Sequence, residues 1–357
     1  TLCAPTGKAA KRMGEATGLQ KFNPSTVHRY LTNVDSGAAK KLDVMIVDEA
    51  SMLSNGLLHN LLSTIPDGAR LVLIGDKDQL PPVKGGQPFK DIIQVSATHK
   101  NYSSDEIRLK PEDGVSGIVS AAYDVITGKE PDVNLTLNKH NFEFIDCLKE
   151  DIGAQVLNYY FEKIPAALKK PFDEVQDEIQ ILSPQKKGGA GINALNIEIQ
   201  NRLTAKDKSI FQGKRSTQLY PKDRVMQTSN DYDIEVMNGE IGVVVSKNED
   251  GLSVIMDGKS RTYDNDQAEN LELAYAISIH KSQGSEYSAV IIPITSEHSF
   301  MLTRSLIYTA ITRGKSKVCL IGDREVLKKI LENGFKGSRY TGLNIEIDQL
   351  EISGAIK

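Results

Sequence analysis

The sequence predicts an α/β protein built on parallel sheets, with a small antiparallel β module set into its second half. Three observations carry this expectation. First, short apolar runs recur: Val44-Met45-Ile46-Val47, Leu71-Val72-Leu73-Ile74, Ile179-Gln180-Ile181-Leu182, Ala289–Ile294 and Val318-Cys319-Leu320-Ile321. Strands buried on both faces of a parallel sheet read this way. Second, helical stretches separate the runs. Leu57, Leu58, Leu61 and Leu62 form one stripe, and Ile118, Val119, Ala122 and Ile126 another, stopped by Gly128. Third, residues 213–270 change character, with short strand-like pieces turning at Asn238-Gly239 and Asp257-Gly258. Those dipeptides are hairpin signals.

A chain of 357 residues has room for two domains and an insertion. The expected boundaries are 1–110 for a first domain, 111–212 with 268–345 for a second, 213–267 for the inserted barrel and 346–357 for a tail. Composition is 39% hydrophobic and 25% charged, and no apolar run approaches membrane-spanning length. Cys3, Cys147 and Cys319 lie far apart without metal-type spacing, which fits free thiols in a reducing, cytoplasmic setting. Net charge is −4, so any nucleic-acid binding must come from local basic clusters. Trp is absent and aromatics are 6%, which leaves few side chains for base stacking. No cleavable signal segment is visible, and Thr1-Leu2-Cys3-Ala4-Pro5 reads like the inside of a domain.

The Val44–Val47 run delivers two carboxylates, Asp48 and Glu49, to its carboxyl end, where ligands bind in open α/β sheets. One acid can hold hydrated magnesium, and the other can orient or deprotonate a water attacking a phosphate. The next strand ends in Gly75-Asp76 and carries Gln79 into Pro81-Pro82. Gln79 can hydrogen-bond a terminal phosphate or the attacking water. Nearer the start, Pro5-Thr6-Gly7-Lys8 is a strand-to-helix turn suited to a nucleic-acid phosphate, through backbone N–H groups, the Thr6 hydroxyl and Lys8. Ser25 or Thr26 caps a helix with His28 and Arg29 in its first turns. Two phosphate-loop decoys fail. Ala9 follows Gly7-Lys8, and Thr309 stands where Gly314-Lys315-Ser316 needs its first Gly.

In order, these stretches resemble superfamily 1 helicases of the RecD-like group. Ala4–Ala10 is similar to motif Ia, Val47–Met52 to motif II, Gly75–Val83 to motif III, Ser278–Glu286 to motif V and Tyr308–Arg313 to motif VI. Thr26–Arg29, Arg224–Gln227 with Asn238-Gly239, and Arg339–Leu343 add to the match. The resemblance implies two RecA-like P-loop NTPase motor domains, the first incomplete, with an SH3-like barrel inserted in the second. It implies ATP and Mg2+ as cofactors and 5′ to 3′ movement on single-stranded DNA in recombination or repair. By the same resemblance Asp48 holds magnesium, Glu49 activates water, Gln79 senses the γ-phosphate and Arg313 is an arginine finger from the second domain. Gly75 and Asp76 belong to the nucleotide site, as do Gly284 and Glu286 of the loop that couples nucleotide to DNA. Pro5, Thr6, Lys8, His28, Ser278, His280 and Lys281 are the DNA contacts. Expected partners are single-stranded DNA, DNA junctions and other subunits of a helicase–nuclease complex, with no membrane.

Two departures qualify the resemblance. No Walker A loop occurs in these residues, which reads as a truncated or incompletely represented chain. Motif IV is not intact: Arg108, a gap after Lys110, or Tyr102-Ser103 could each mark its place. The alternative function is an ATPase-inactive DNA-binding or scaffolding relative.

Overall fold

Strand β1 (Leu2–Ala4) starts a parallel sheet with β2 (Ser25–Thr26), β3 (Val44–Val47) and β4 (Arg70–Leu73), in the order β2-β1-β3-β4. This computed structural model describes residues 1–18, 22–36, 42–98, 116–131, 141–204, 208–213, 218–298 and 302–332, and isolated positions from 342 to 353. Tyr102-Ser103, Ile107–Lys110 with Arg108, and Arg339–Thr341 lie outside the described residues. The chain forms two compact units, residues 1–109 with 335–357, and residues 110–334.

In the first unit, Met45 and Val47 of β3 are fully buried with Cys3, Val27, Leu58 and Leu61. The other face differs from expectation. Val44 is 39% exposed, Val72 43% and Ile74 50%. Side chains alternate across a strand, so an unbroken apolar run does not reveal that one face stays open. Three of its helices, Gly7–Thr17, Val27–Asp35 and Asn55–Leu62, start on a side-chain cap. Thr6, Thr26 and Ser54 accept from Ala9, Arg29 and Leu57 N–H respectively, which satisfies donors that a helix start leaves free.

The second unit adds β5 (Phe142–Asp146), β6 (Ile179–Ser183), β7 (Phe211–Gln212), β8 (Gln218–Leu219), β9 (Arg224–Gln227), β10 (Ile241–Asn248), β11 (Gly251–Met256), β12 (Lys259–Tyr263) and β13 (Leu271–Leu273). It ends with β14 (Ala276–Ser278), β15 (Tyr287–Ile294) and β16 (Gly314–Gly322). The main sheet is parallel, in the order β14-β6-β15-β16-β5. The helix expected near 152–168 runs unbroken over that span, with a π-helical turn at Tyr159–Lys163 between its α-helical pieces Ile152–Asn158 and Ile164–Leu168.

The β module is an antiparallel sheet ordered β12-β11-β10-β9-β13, with its own core of Val225, Val244, Leu252, Val254 and Tyr263. It extends past the expected limit at 267, because β13 pairs with β9. Its support comes from a buried polar seam. The Arg224 guanidinium donates to the carbonyls of Gln176 and Ile179 and to Gln180 Oε1. Gln180 Nε2 donates to the carbonyls of Ala274 and Tyr275, and the Tyr275 hydroxyl donates to Asp223 at 2.8 Å. Burial and the Asp223 carboxylate raise the Tyr275 pKa, so its proton stays in place. Buried polar groups satisfied in this way fix one geometry.

Candidate functional site

Four strand ends of the first unit share one carboxyl edge. At its centre Asp48 leaves β3, its N–H bonded to the Cys3 carbonyl, and its Oδ1 accepts the Glu49 N–H at 2.8 Å. Glu49 adopts φ +52°, a left-handed conformation that a non-glycine residue rarely takes. Such strain costs on the order of 1–3 kcal/mol and gathers at functional sites. The turn is held from β4, because Ala50 N–H donates to the Ile74 carbonyl at 2.8 Å. Gly75 follows, and no side chain fits there: a Cβ would lie 2.9 Å from Ser51 N and 3.1 Å from Ala50 N.

Asp76 then organises Gln79. Its Oδ1 accepts the Asp78 N–H, and its Oδ2 accepts from Gln79 Nε2 at 3.3 Å. This orients the Gln79 amide and leaves its Oε1 buried without a partner among the described residues. The Ser51 hydroxyl, beside the acids, is likewise buried and unpartnered. Sequence reasoning passed over Ser51, and only its place in the Asp-Glu-Ala-Ser run could have marked it. The structure thus brings Asp48, Glu49, Gly75, Asp76 and Gln79 together.

The other half of this edge carries the proposed DNA residues. Ala4 pairs with Thr26 across β1 and β2, so Pro5, Thr6 and Lys8 lie beside the start of the helix bearing His28, which is exposed. The Thr6 oxygen caps its helix, which leaves its proton for an acceptor.

In the second unit, Ser278 ends β14 and caps a short 3-10 turn, Ile279–Ser282, by accepting the Lys281 N–H. Lys281 Nζ donates to Asn238 Oδ1, on the β module's Asn-Gly turn. Burial and the nearby Lys186 lower the Lys281 pKa, and Glu272 opposes them. His280 is at the surface, yet the protein around it lowers its pKa too, by desolvation. Gly284 takes φ +72° in the following turn, and exposed Glu286 pairs with Lys315 at 3.1 Å.

Arg313 is only 4% exposed. Its guanidinium donates to the Thr309 carbonyl at 3.2 Å, the Ser285 carbonyl at 3.2 Å and Thr312 Oγ1 at 3.3 Å. Ser278, His280, Lys281, Gly284, Glu286 and Arg313 therefore share one hydrogen-bonded region. The sequence showed neither the Asn238 contact nor the Ser285 one. Asn238 registered only as a turn former, and a carbonyl acceptor leaves no mark in a sequence.

Known proteins match the chain along its length. Residues 1–137 match the AAA domain family, 273–321 the UvrD-like helicase C-terminal domain, and 195–257 the ATP-dependent RecD-like DNA helicase SH3 domain. The ATP-dependent RecD2 DNA helicase of Deinococcus radiodurans is 34% identical over 327 residues, covering 88% of this chain and 42% of the relative. The chain is similar to RecD-like helicases along nearly all of its length. The RecBCD enzyme subunit RecD of Mycolicibacterium smegmatis is 30% identical, over 96% of this chain and 65% of the relative. The RecD-like chain thus spans less than two thirds of either relative. A crystal structure of a Bacteroides Pif1 helicase with ADP-AlF3 and single-stranded DNA matches at a TM-score of 0.53 and 18% identity, over 99% of this chain and 87% of that one. At that identity the likeness shows a shared fold. The match to the AAA domain family implies nucleotide use. Among the described residues no helix is long and apolar enough to cross a membrane.

Proposed function

We propose that this RecD-like chain belongs to an ATP-dependent helicase motor that moves 5′ to 3′ along single-stranded DNA in recombination or repair. The observation that carries the proposal is the Asp48-Glu49 turn. It sits against Gly75 and beside a Gln79 whose amide nitrogen is tied down and whose oxygen is free to accept. The residues fit a magnesium–nucleotide complex. Among the described residues no three metal-ligating side chains gather, so Asp48 would share a magnesium ion with water and phosphate, as that ion prefers. The ion would neutralise phosphate charge. A loop gripping the phosphates would be supplied outside these 357 residues.

The chain's own groups divide the remaining work. Glu49 orients a water and takes its proton. Gln79 Oε1 accepts a hydrogen bond from that water, and Asp76 keeps the amide from flipping. Arg313 offers a planar cation to charge developing on the phosphate. Pro5, Thr6, Lys8, His28, Ser278, His280 and Lys281 take backbone phosphates, which gives salt-sensitive binding with little sequence preference. DNA junctions and the subunits of a helicase–nuclease complex are the partners that this role would meet.

The test is Glu49→Gln in the protein that carries this chain with a phosphate loop. DNA-stimulated ATP hydrolysis should fall by about 10²–10⁴-fold, as for loss of a general base, while oligo-dT affinity stays within about twofold of the unsubstituted protein. Undiminished turnover would remove Glu49 from the mechanism.

A further inference from the structure

Buried tyrosines of the second unit gather around the Arg224 guanidinium. Tyr160 and Tyr287 are both buried, and the titration of each responds to Arg224. Tyr160 belongs to the π-helical turn Tyr159–Lys163, and its hydroxyl has no hydrogen-bond partner among the described residues. Tyr287 opens β15, directly after the turn that holds Gly284, Ser285 and Glu286.

The sheet sets Tyr287 between two buried cations. β15 lies between β6 and β16. Ala289 pairs with Ile179 of β6, so Tyr287, two residues earlier, flanks the stretch that leads into β6. The Arg224 guanidinium donates to two carbonyls of that stretch, Gln176 at 3.1 Å and Ile179 at 2.7 Å. On the other side Tyr287 pairs with Gly314 of β16, the residue after Arg313. Its N–H donates to the Arg313 carbonyl at 2.8 Å, and the Ser285 carbonyl accepts from the Arg313 guanidinium at 3.2 Å. Ser285 and Tyr287 thus hold Arg313 by its side chain and by its backbone.

The Tyr287 hydroxyl lies in the field of both cations. Burial raises its pKa, while Arg224, the Ser285 side chain and Arg313 pull it down. A cation acts on a phenol in this way by stabilising charge on its oxygen, so that oxygen meets positive charge from both flanks. Arg224 and Arg313 are each only 4% exposed. Little water reaches them to screen these interactions, and polar contacts are stronger in such surroundings. Arg224 is itself fixed, because Gln180 Oε1 accepts from it at 3.0 Å and β9 carries it into the β module.

We propose that Tyr287 is a positioning residue for Arg313: its hydroxyl, steadied by the Arg224 guanidinium and the Ser285 side chain, keeps the Arg313 guanidinium on the Ser285 carbonyl. The β module is thereby tied to the cation that meets the phosphate, since Arg224 belongs to the module and Arg313 to the edge of the main sheet. This inference rests on the role proposed above for Arg313 in ATP hydrolysis. Tyr287 touches no phosphate and moves no proton. It narrows the orientations of the guanidinium, and a misplacement of about 1 Å can cost about 10²-fold in rate.

The experiment measures steady-state ATP hydrolysis with saturating oligo-dT, in the protein that carries this chain with a phosphate loop. Tyr287→Phe keeps the ring and removes the hydroxyl. It should lower kcat by about 10–10²-fold and leave KM for ATP within about twofold, as for an interaction made only in the transition state. Introduced into Arg313→Lys, the same substitution should lower kcat by less than about twofold, because no guanidinium remains to be placed. Tyr160→Phe removes the other phenol beside Arg224 and should leave kcat unchanged. Arg224→Lys loosens the module's end of the link. It should lower kcat as Tyr287→Phe does, and the two together should fall no further than either alone. Equal losses in Tyr287→Phe and Tyr160→Phe would mean a loosened core and overturn the proposal. Losses that multiply in Tyr287→Phe/Arg313→Lys would overturn it as well, and an unchanged kcat in Arg224→Lys would cut the β module out of the link. If Arg224→Lys or Arg313→Lys does not fold, the contrast between Tyr287→Phe and Tyr160→Phe decides. Full turnover in Arg313→Lys would remove Arg313 itself from the mechanism. Lost turnover there with full turnover in Tyr287→Phe would leave Arg313 its role and reject Tyr287 alone.

Discussion

The Arg313 guanidinium donates to the Ser285 carbonyl, so the residue proposed to meet a phosphate is seated on the loop that also carries His280 and Lys281. Arg313→Lys tests both roles. A lysine cannot present three fixed N–H directions, so the Ser285 and Thr309 carbonyls would lose their guanidinium donors. Chemical denaturation should show a loss of about 1–3 kcal/mol. Steady-state ATP hydrolysis with saturating oligo-dT should fall by about 10³-fold or more. A stability loss without a rate loss would leave Arg313 with the structural role alone.

Gly75 makes a sharper prediction about the acidic turn. An alanine Cβ would press on Ser51 N and Ala50 N, both backbone atoms that cannot swing aside. Gly75→Ala should cost about 1–3 kcal/mol by overpacking and displace Glu49, so turnover falls even at temperatures where the fold persists. Denaturant titration and ATPase assays on the same sample check the two effects.

These two residues also show how far the sequence could be read. Asp48 and Glu49 were legible because an apolar run followed by two acids is a local pattern. The need for Gly75 was not, because it arises from β4 meeting the turn after β3, a contact between chain segments far apart in sequence. The strands were legible as apolar runs, but the open face holding Val44 and Ile74 was not, since that run is the same whether one face or both are covered. The β module announced itself by Asn238-Gly239, yet the seam from Arg224 to Gln180 depends on buried polar side chains with no characteristic spacing.

Two glycines at helix ends separate backbone strain from crowding. Gly18 and Gly128 both take positive φ, +65° and +82°. A Cβ at Gly18 meets nothing within 4 Å, whereas at Gly128 it would lie 2.5 Å from the Arg304 guanidinium, which donates to the Leu331 carbonyl. Gly18→Ala should cost about 1 kcal/mol from the left-handed backbone alone. Gly128→Ala should cost about 1 kcal/mol more, because the Arg304 clamp must shift as well. Equal losses by denaturant titration would mean that Arg304 moves aside freely.

Thr6 joins a cap to a proposed phosphate contact, and two substitutions separate them. Thr6→Ala removes both and should destabilise by about 0.5–2 kcal/mol. Thr6→Asn keeps an oxygen that can accept the Ala9 N–H but removes the hydroxyl proton. It should restore most of the stability while leaving oligo-dT binding weakened. Full recovery of DNA affinity in Thr6→Asn would reduce Thr6 to a helix cap.

His280 predicts a dependence on pH. Desolvation holds its imidazole pKa below the usual value near 6.5. The folded protein therefore takes up this proton at lower pH than the unfolded chain. The stability contributed is full above about 6.5 and is lost as pH falls through the unfolded and then the folded pKa. DNA reverses the preference, because a phosphate beside His280 favours the charged ring and raises its pKa. Oligo-dT affinity should therefore rise as pH falls below about 6.5, over the same interval in which the free protein loses stability. His280→Gln should flatten both trends. Affinity and denaturation midpoints measured across this range in both proteins decide the matter, and an unchanged affinity slope in His280→Gln would take His280 out of the DNA contact.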